Sequence, residues 1–164
     1  MGRYRPPAPK KSPYITVEGH QRLSDELEGL WPTRREVVVA LSAAAAEGDR
    51  SENAEYIYRK KELREIDYRI RYLQKRMPEL TVVNRIPDNN QQIFFGATVT
   101  LEADDSSTVD CRIVGPDELD PSKGYISIDS PMARGLLKKY ADDEVNISTP
   151  QGEINYLILQ VKYS

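Results

Sequence analysis

Two apolar stripes with alternating four- and three-residue spacing flank a short polar turn, and this pattern constrains the fold of the first half of the chain most strongly. The first stripe, interrupted only by the charged Arg34, comprises Leu23, Leu27, Leu30, Val37, Leu41 and Ala44. The second, interrupted only by Arg59, comprises Tyr56, Leu63, Ile66, Ile70, Leu73 and Met77. Such spacing is typical of a coiled-coil seam. The sequence therefore predicts an antiparallel helical hairpin, roughly 45 Å long for about 30 residues per arm.

The two predicted helices carry start, stop and interruption signals. Thr16 is a candidate N-cap for the first helix, and Pro78 after Met77 predicts the end of the second. Within the first helix, Pro32 removes one backbone hydrogen bond, which predicts a kink or a local break near Trp31.

From about Thr81 onward the apolar period changes from helical to alternating. Runs rich in Val, Ile, Thr, Tyr and Phe, separated by polar turns, predict strands at residues 93–101, 109–114, 125–128, 144–148 and 154–163. Ser130 and Pro131 predict the N-cap and first residue of one short helix that reaches about Tyr140. A mostly antiparallel sheet with one helix makes the predicted fold class α+β.

The first 14 residues are basic and rich in proline, which predicts a flexible arm. The predicted organisation is an arm over residues 1–14, a coiled-coil domain over 15–78 and a second domain over 79–164. No apolar run approaches the roughly 18 residues of a membrane span, and the single cysteine, Cys111, cannot form an internal disulfide. These features predict a cytoplasmic protein. Because Cys111 alternates with Val109 and Ile113, it is predicted to be a small core side chain.

The net charge of −3 hides an uneven distribution. Residues 56–76 contain eight basic and three acidic side chains, whereas residues 47–55 contain four acidic side chains and one basic one. Beyond residue 80, thirteen acidic side chains oppose seven basic ones. The predicted hairpin thus has an acidic tip on a basic shaft, a distribution suited to a charged partner.

The acidic turn AEGDRSENAEY has two interpretations. In the architectural one, Gly48 ends the first helix, and Asp49 with Glu52 forms a capping box for the second. In the functional one, the carboxylates of Asp49 and Glu52 project to the same side of an exposed tip as oxygen donors for Mg²⁺. Two carboxylates cannot hold Mg²⁺ alone, so the tip would lend them to a two-metal phosphodiester-cleaving site on another molecule. The residues alone leave both interpretations open.

From about Ile15 to its end, the chain resembles the GreA/GreB family of transcript cleavage factors, and the GreB branch in particular. The resemblance rests on the segments GDRSENAEY, KKELREIDYRIRYLQKR, FFGATV, RIVGPDE and YISIDSPMARGLLKK. It implies an FKBP-like fold for the C-terminal domain. It also implies a factor, not itself an enzyme, that enters the secondary channel of bacterial RNA polymerase as a monomer. There it would stimulate the polymerase's own cleavage of nascent RNA in backtracked complexes.

The resemblance also implies roles for individual residues. Asp49 would help bind the second Mg²⁺ of the polymerase, and Glu52 would position that ion or the attacking water, so the chain needs no cofactor of its own. A basic patch for the extruded RNA 3′ end would consist of Arg59, Lys60, Lys61 and Arg64. Contacts with the channel rim would come from Asp129, Ser130 and Pro131.

Two alternative functions remain. A regulator could occupy the same channel without promoting cleavage, and its activity would not depend on the tip carboxylates. A prolyl isomerase is suggested only by the FKBP-like fold, and a fold does not carry a function.

Overall fold

The computed structural model describes residues 2–49 and 52–164 and divides the chain into two compact units. One unit is Glu18–Leu80; the other combines the segment through Val17 with Thr81–Ser164. The second unit therefore takes in residues 15–17, which the sequence assigned to the coiled coil. None of the helices described is long and apolar enough to cross a membrane.

The hairpin unit consists of two helices, α1 (Val17–Ala46) and α2 (Ala54–Arg76). Both stripes supply its core, in which Val37, Ile66 and Ile70 are buried and further leucines pack against them, namely Leu27, Leu30 and Leu63. The predicted helical hairpin is confirmed. The seam forms because apolar side chains at four-three spacing lie on one face of each helix. They are removed from water when the two faces pack against each other.

Ion pairs between the two helices contribute to their register. Arg34 Nε lies 2.6 Å from Asp67 Oδ1, so the charged position of the first stripe finds a partner on α2. Arg69 donates to both carboxylate oxygens of Glu26, at 2.6 and 2.9 Å. These hydrogen bonds from Arg69 lower the pKa of Glu26, and the fork geometry adds specificity to the pairing.

Helix α1 continues through Pro32 across its described range Val17–Ala46, so of the predicted kink or local break, the break does not occur. Pro32 costs the helix one backbone hydrogen bond, and the turns on either side are held by packing against α2. In the next turn, the Thr33 hydroxyl donates to the carbonyl of Gly29 at 3.1 Å.

The other unit contains a five-stranded sheet in the order β5-β4-β3-β7-β6. Its strands are β3 (Thr98–Ala103), β4 (Thr108–Val114), β5 (Tyr125–Ser127), β6 (Glu144–Thr149) and β7 (Gly152–Lys162). All pairings are antiparallel except that of β4 with β5, which is parallel. The α+β class is confirmed. The first predicted strand begins late, at Thr98, because residues 94–97 form a turn in which Gly96 has φ +88°.

Helix α3 (Pro131–Leu136) packs on this sheet through the buried side chains of Ala133 and Leu136. Its predicted start is confirmed, since the Ser130 hydroxyl accepts from Ala133 N at 3.2 Å. Its predicted end near Tyr140 is wrong. The chain leaves the helix at Leu137, and Lys138 adopts φ +68°, which a continuing helix cannot accommodate.

A short parallel pair, β1 (Tyr14–Thr16) with β2 (Thr81–Val83), was not predicted. The buried carboxylate of Glu118 anchors β1 by accepting from Thr16 N at 3.0 Å and from the Thr16 hydroxyl. It also accepts from Gly115 N at 2.7 Å. Thr16 directly precedes α1, at the predicted N-cap position, and its hydroxyl donates to a residue about a hundred positions later.

Cys111 is buried in the core of the sheet, as predicted, and burial raises the pKa of its thiol to about 11. Because the thiolate is the reactive form, we expect Cys111 to react with a thiol reagent at pH 7 far more slowly than a free cysteine does. The measurement is the rate of colour development with Ellman's reagent, with and without denaturant. Rapid labelling of the native protein would contradict the burial.

Candidate functional site at the hairpin tip

The tip of the hairpin is closed by Asn53, which joins the two helices. Its side-chain oxygen accepts from Tyr56 N at 3.1 Å and caps α2. Its amide nitrogen donates to the carbonyl of Ala44, near the end of α1, at 2.8 Å. Gly48, after the last residue of α1, has φ +130°, a conformation that favours glycine. The predicted turn glycine is therefore found where the first helix ends.

The proposed capping box of Asp49 and Glu52 is wrong, because α2 begins at Ala54 and its cap is Asn53. Asp49 lies too far before the helix to occupy the N-cap position, and Glu52 precedes the cap. Arg50 and Ser51, between these two acids, lie outside the described residues. The architectural explanation for the two carboxylates therefore loses its main support.

We expect Asn53→Ala to lower the free energy of unfolding of the hairpin by about 1 to 2 kcal/mol, since a lost N-cap typically costs about 1 kcal/mol. The lost contact with Ala44 adds to that cost. Asn53→Asp keeps the capping oxygen and loses only the donor to Ala44, so its destabilisation should be smaller. Chemical denaturation followed by helical circular dichroism measures both, and equal stability of all three proteins would contradict this role of Asn53.

The side chains of Asp49 and Glu52 are both exposed. Glu55 is paired with Arg59 at 2.9 Å. Carboxylate oxygens at an exposed tip are hard donors that suit Mg²⁺. Within residues 2–49 and 52–164, no group of three or more His, Cys, Asp or Glu side chains is arranged to hold a metal ion.

The predicted basic patch lies on the first turns of α2, and its members differ in how they are engaged. Arg59 donates to Glu55 and to Glu62, at 2.9 Å each, and the hydrogen bonds to these two carboxylates raise its pKa. Lys61 Nζ lies 3.9 Å from Glu65 Oε1. These acids partly neutralise the patch, so its attraction for phosphate is weaker than the sequence count suggests.

The other two members of the patch are less constrained by acids. Lys60 Nζ lies 5.8 Å from the centre of the Tyr56 ring, within the range of a cation–π contact. Arg64 is exposed and, within the described part of the chain, has no ion-pair partner within 4.0 Å. Arg64 is therefore available to pair with an anionic ligand.

The candidate docking residues lie at the start of α3 in the sheet-containing unit. Asp129 accepts from Ser12 N at 2.9 Å and from the Ser12 hydroxyl. Ser130 is the helix cap, and Pro131 is exposed at the first helical position. The contact with Asp129 fastens the end of the predicted flexible arm to the segment expected to contact a partner. Sequence reasoning missed this contact because nothing local links residues 12 and 129.

The sequence did contain a signal for the true cap, since asparagine is among the preferred N-cap residues. The spacing of Asp49 and Glu52 fits a capping box, so it predicts an earlier helix start than the one that Asn53 caps. Glu118, which holds β1, gave no comparable signal, because the sequence cannot show which backbone groups a buried carboxylate will meet.

Two family profiles together match most of the chain. The profile described as "Transcription elongation factor, N-terminal" matches residues 13–82, and "Transcription elongation factor, GreA/GreB, C-term" matches residues 88–163. A protein of Xanthomonas axonopodis pv. citri named transcription elongation factor GreB is 56% identical and covers 100% of this chain and 99% of its own. A Pseudomonas aeruginosa protein of that name is 53% identical and covers 99% of this chain and 98% of its own.

A solved structure titled as a prokaryotic transcription elongation factor GreA/GreB, from Nitrosomonas europaea, is 20% identical to the chain. It covers 94% of this chain and 99% of its own, with a TM-score of 0.43.

Proposed function

Because the chain belongs to the GreA/GreB family of transcription elongation factors, we propose that its hairpin carries Asp49 and Glu52 into the secondary channel of bacterial RNA polymerase. The factor stimulates cleavage of nascent RNA by the polymerase and is not itself the enzyme. The observation that most strongly supports this role for the two acids is the identity of the helix cap. Asn53 caps α2, so neither carboxylate is needed as the helix cap at a tip where like charges repel.

The donor set at the tip fits Mg²⁺, which prefers carboxylate oxygens and commonly shares its coordination between protein and phosphate groups. When bound in a two-metal centre, the ion activates water and stabilises the leaving oxygen of a phosphodiester. Asp49 would supply a ligand to the ion. Glu52 would position the ion or the attacking water. Because Mg²⁺ needs more ligands than these two side chains provide, the others would come from the polymerase and the RNA.

The basic start of α2 supports an additional role in holding RNA. Lys60 and Arg64 are exposed cations, and Arg59 and Lys61 could exchange their intrahelical acids for phosphate. Such exposed ion pairs are weak, so the exchange costs little. Binding through these four residues should fall as salt rises, because each phosphate contact releases counterions.

The remaining assignments concern the domains and the partner. We propose that the hairpin unit, Glu18–Leu80, acts as the channel-entering domain and that the unit containing Thr81–Ser164 acts as the docking domain. Residues 1–14 would be an arm whose end is fastened by Asp129. Asp129, Ser130 and Pro131 would contact the channel rim. A cytoplasmic location follows from the partner, since bacterial transcription takes place there.

The test is an RNA cleavage assay with purified polymerase held in backtracked complexes on 3′-labelled RNA. Adding the chain should accelerate release of a short 3′ fragment. If the chain binds the polymerase without accelerating release, it is a channel-binding regulator without cleavage activity. If it does not bind, the proposed docking is wrong as well.

A further inference from the structure

The basic arm at the start of the chain takes no part in the proposed cleavage mechanism. Its residues 2–11 form neither helix nor strand, and all of them are exposed. This segment contains no acid and four cations, namely Arg3, Arg5, Lys10 and Lys11. Within the described part of the chain, Arg3, Arg5 and Lys10 have no ion-pair partner within 4.0 Å. The arm therefore presents at least three uncompensated positive charges to its surroundings.

Prolines restrict the conformation of the arm. Pro6, Pro7 and Pro9 lie between the first two cations and the last two. Each proline fixes its own φ at about −65° and disfavours the helical region for the residue before it, so every residue from 5 to 9 is held extended. In a polyproline II conformation, the α-carbons of Arg5 and Lys10 lie about 16 Å apart. The cations therefore keep a set spacing, and binding costs less entropy than it would for a freely flexible segment.

The C-terminal end of the arm is fastened to the sheet-containing unit. Ser12 N donates to Asp129 Oδ2 at 2.9 Å, and the Ser12 hydroxyl donates to the same carboxylate. The carbonyl of Pro13 accepts from Thr81 N at 2.7 Å, where β1 and β2 pair. Asp129 is also one of the residues proposed to contact the channel rim. The arm therefore leaves the surface of this unit beside the proposed docking site.

We propose that the arm binds in its extended conformation to an acidic surface of the polymerase beside the channel rim. The identity of this partner rests on the proposed function. About ten extended residues reach roughly 30 Å from Ser12. Docking of the unit would hold the arm within that distance of its target, which corresponds to a local concentration in the millimolar range. Ion pairs that are weak by themselves would then add measurably to the affinity.

The prolines favour a protein partner over a nucleic acid. A phosphate backbone would pair with the cations but would gain nothing from the prolines. In a polyproline II helix, three residues make one turn, so Pro6 and Pro9 lie on the same edge. Such an edge packs against aromatic side chains in a protein groove. The ring of Tyr4, which is 85% exposed, adds a further apolar contact. The surface that fits this arm therefore combines carboxylates with aromatic side chains.

The test is binding of the full chain to purified RNA polymerase core enzyme, free of DNA and RNA, by surface plasmon resonance at low salt. The triple variant Arg3→Gln, Arg5→Gln and Lys10→Gln should bind about tenfold more weakly, because each lost ion pair removes a modest part of the affinity. This difference should shrink as salt rises, since exposed charges are screened.

A second variant tests the prolines without changing the charge. Replacing Pro6, Pro7 and Pro9 together with Ala should weaken binding about threefold, because the arm must then lose more conformational entropy on binding.

The matched control removes three charges from the same unit outside the arm. Arg85→Gln, Lys123→Gln and Lys162→Gln replace exposed cations, and this variant should bind like the unchanged chain. The triple arm variant should also melt like the unchanged chain, because its substituted side chains are exposed and make no ion pair within the described residues. Loss of binding would therefore not reflect unfolding.

Equal affinity of the unchanged chain and the triple arm variant would overturn this inference and leave the proposed docking intact. Equal weakening by the control would also overturn it, because the net charge of the unit would then be acting. An arm variant that binds the core enzyme normally but loses affinity for a short DNA duplex would assign the arm to nucleic acid instead. If the unchanged chain does not bind the core enzyme, the proposed docking fails and the inference fails with it.

Discussion

Replacing Asp49 with Asn is expected to reduce factor-stimulated RNA cleavage in backtracked complexes about 100-fold, the upper end of what losing a group around a catalytic metal costs. Asn retains the size of Asp and one oxygen but loses the charge that a hard cation requires. The melting temperature should change far less than in Asn53→Ala, because Asn53 and not Asp49 caps α2. The measurement compares initial cleavage rates at saturating factor, so that a change in affinity for the polymerase does not affect the comparison.

Glu47→Gln is the matched control for this prediction. Glu47 is also an exposed carboxylate near the tip, and it has no assigned role. It should retain cleavage stimulation close to that of the unchanged chain. If Asp49→Asn and Glu47→Gln lower cleavage equally, the tip acts through its summed charge and not through a ligand. If Asp49→Asn cleaves normally, Asp49 has no part in metal binding.

Replacing Gly115 with Ala is expected to destabilise the sheet-containing unit by about 3 kcal/mol, at the upper end of overpacking effects. A Cβ at this position would lie 2.0 Å from the carbonyl oxygen of Tyr14 and 3.1 Å from Glu118 Oε2. Because the nearest atom is backbone, β1 itself must move. That movement would disturb the hydrogen bonds by which Glu118 holds Thr16.

The melting temperature of this unit should fall by about 10 °C or more, since 1 kcal/mol corresponds to about 4 to 8 °C for a domain near this size. Gly29→Ala provides the comparison. Apart from its chain neighbours and the backbone of its own helix, no described atom lies within 4 Å of the added Cβ there, and Gly29 lies inside α1. Alanine should stabilise that helix by about 0.5 to 1 kcal/mol. A Gly115→Ala protein that melts like the unchanged chain would show that β1 is not packed against residue 115.

Much of the hairpin could be predicted because its information is local and repeated. Each apolar position of the seam is set by the same spacing, and a helix places such residues on one face whatever its partner. Val37, Ile66 and Ile70 are buried where that rule puts them. The start of α3 could be predicted for a similar reason, since the Ser130 cap is made within four residues.

The candidate site could be predicted from the sequence only in part. Asp49 and Glu52 could be singled out as residues with carboxylate chemistry at a turn, and the basic residues of α2 could be counted. That Asn53 is the cap depends on where α2 begins, and helix ends are set by competing hydrogen bonds that differ little in energy. A groove lined by Trp31 and Tyr68 required both helices, because these two residues lie 37 positions apart in the chain.

The sequence by itself determined the helical hairpin, the alternating strands and the charges at the tip, since these follow from periodicity and residue type within short windows. Only the tertiary structure decided that β1 joins the sheet-containing unit, that Glu118 holds Thr16 and that Asp129 holds Ser12. These contacts join residues about a hundred positions apart. A buried carboxylate takes whichever backbone donors the finished fold presents to it, and no local pattern encodes that choice.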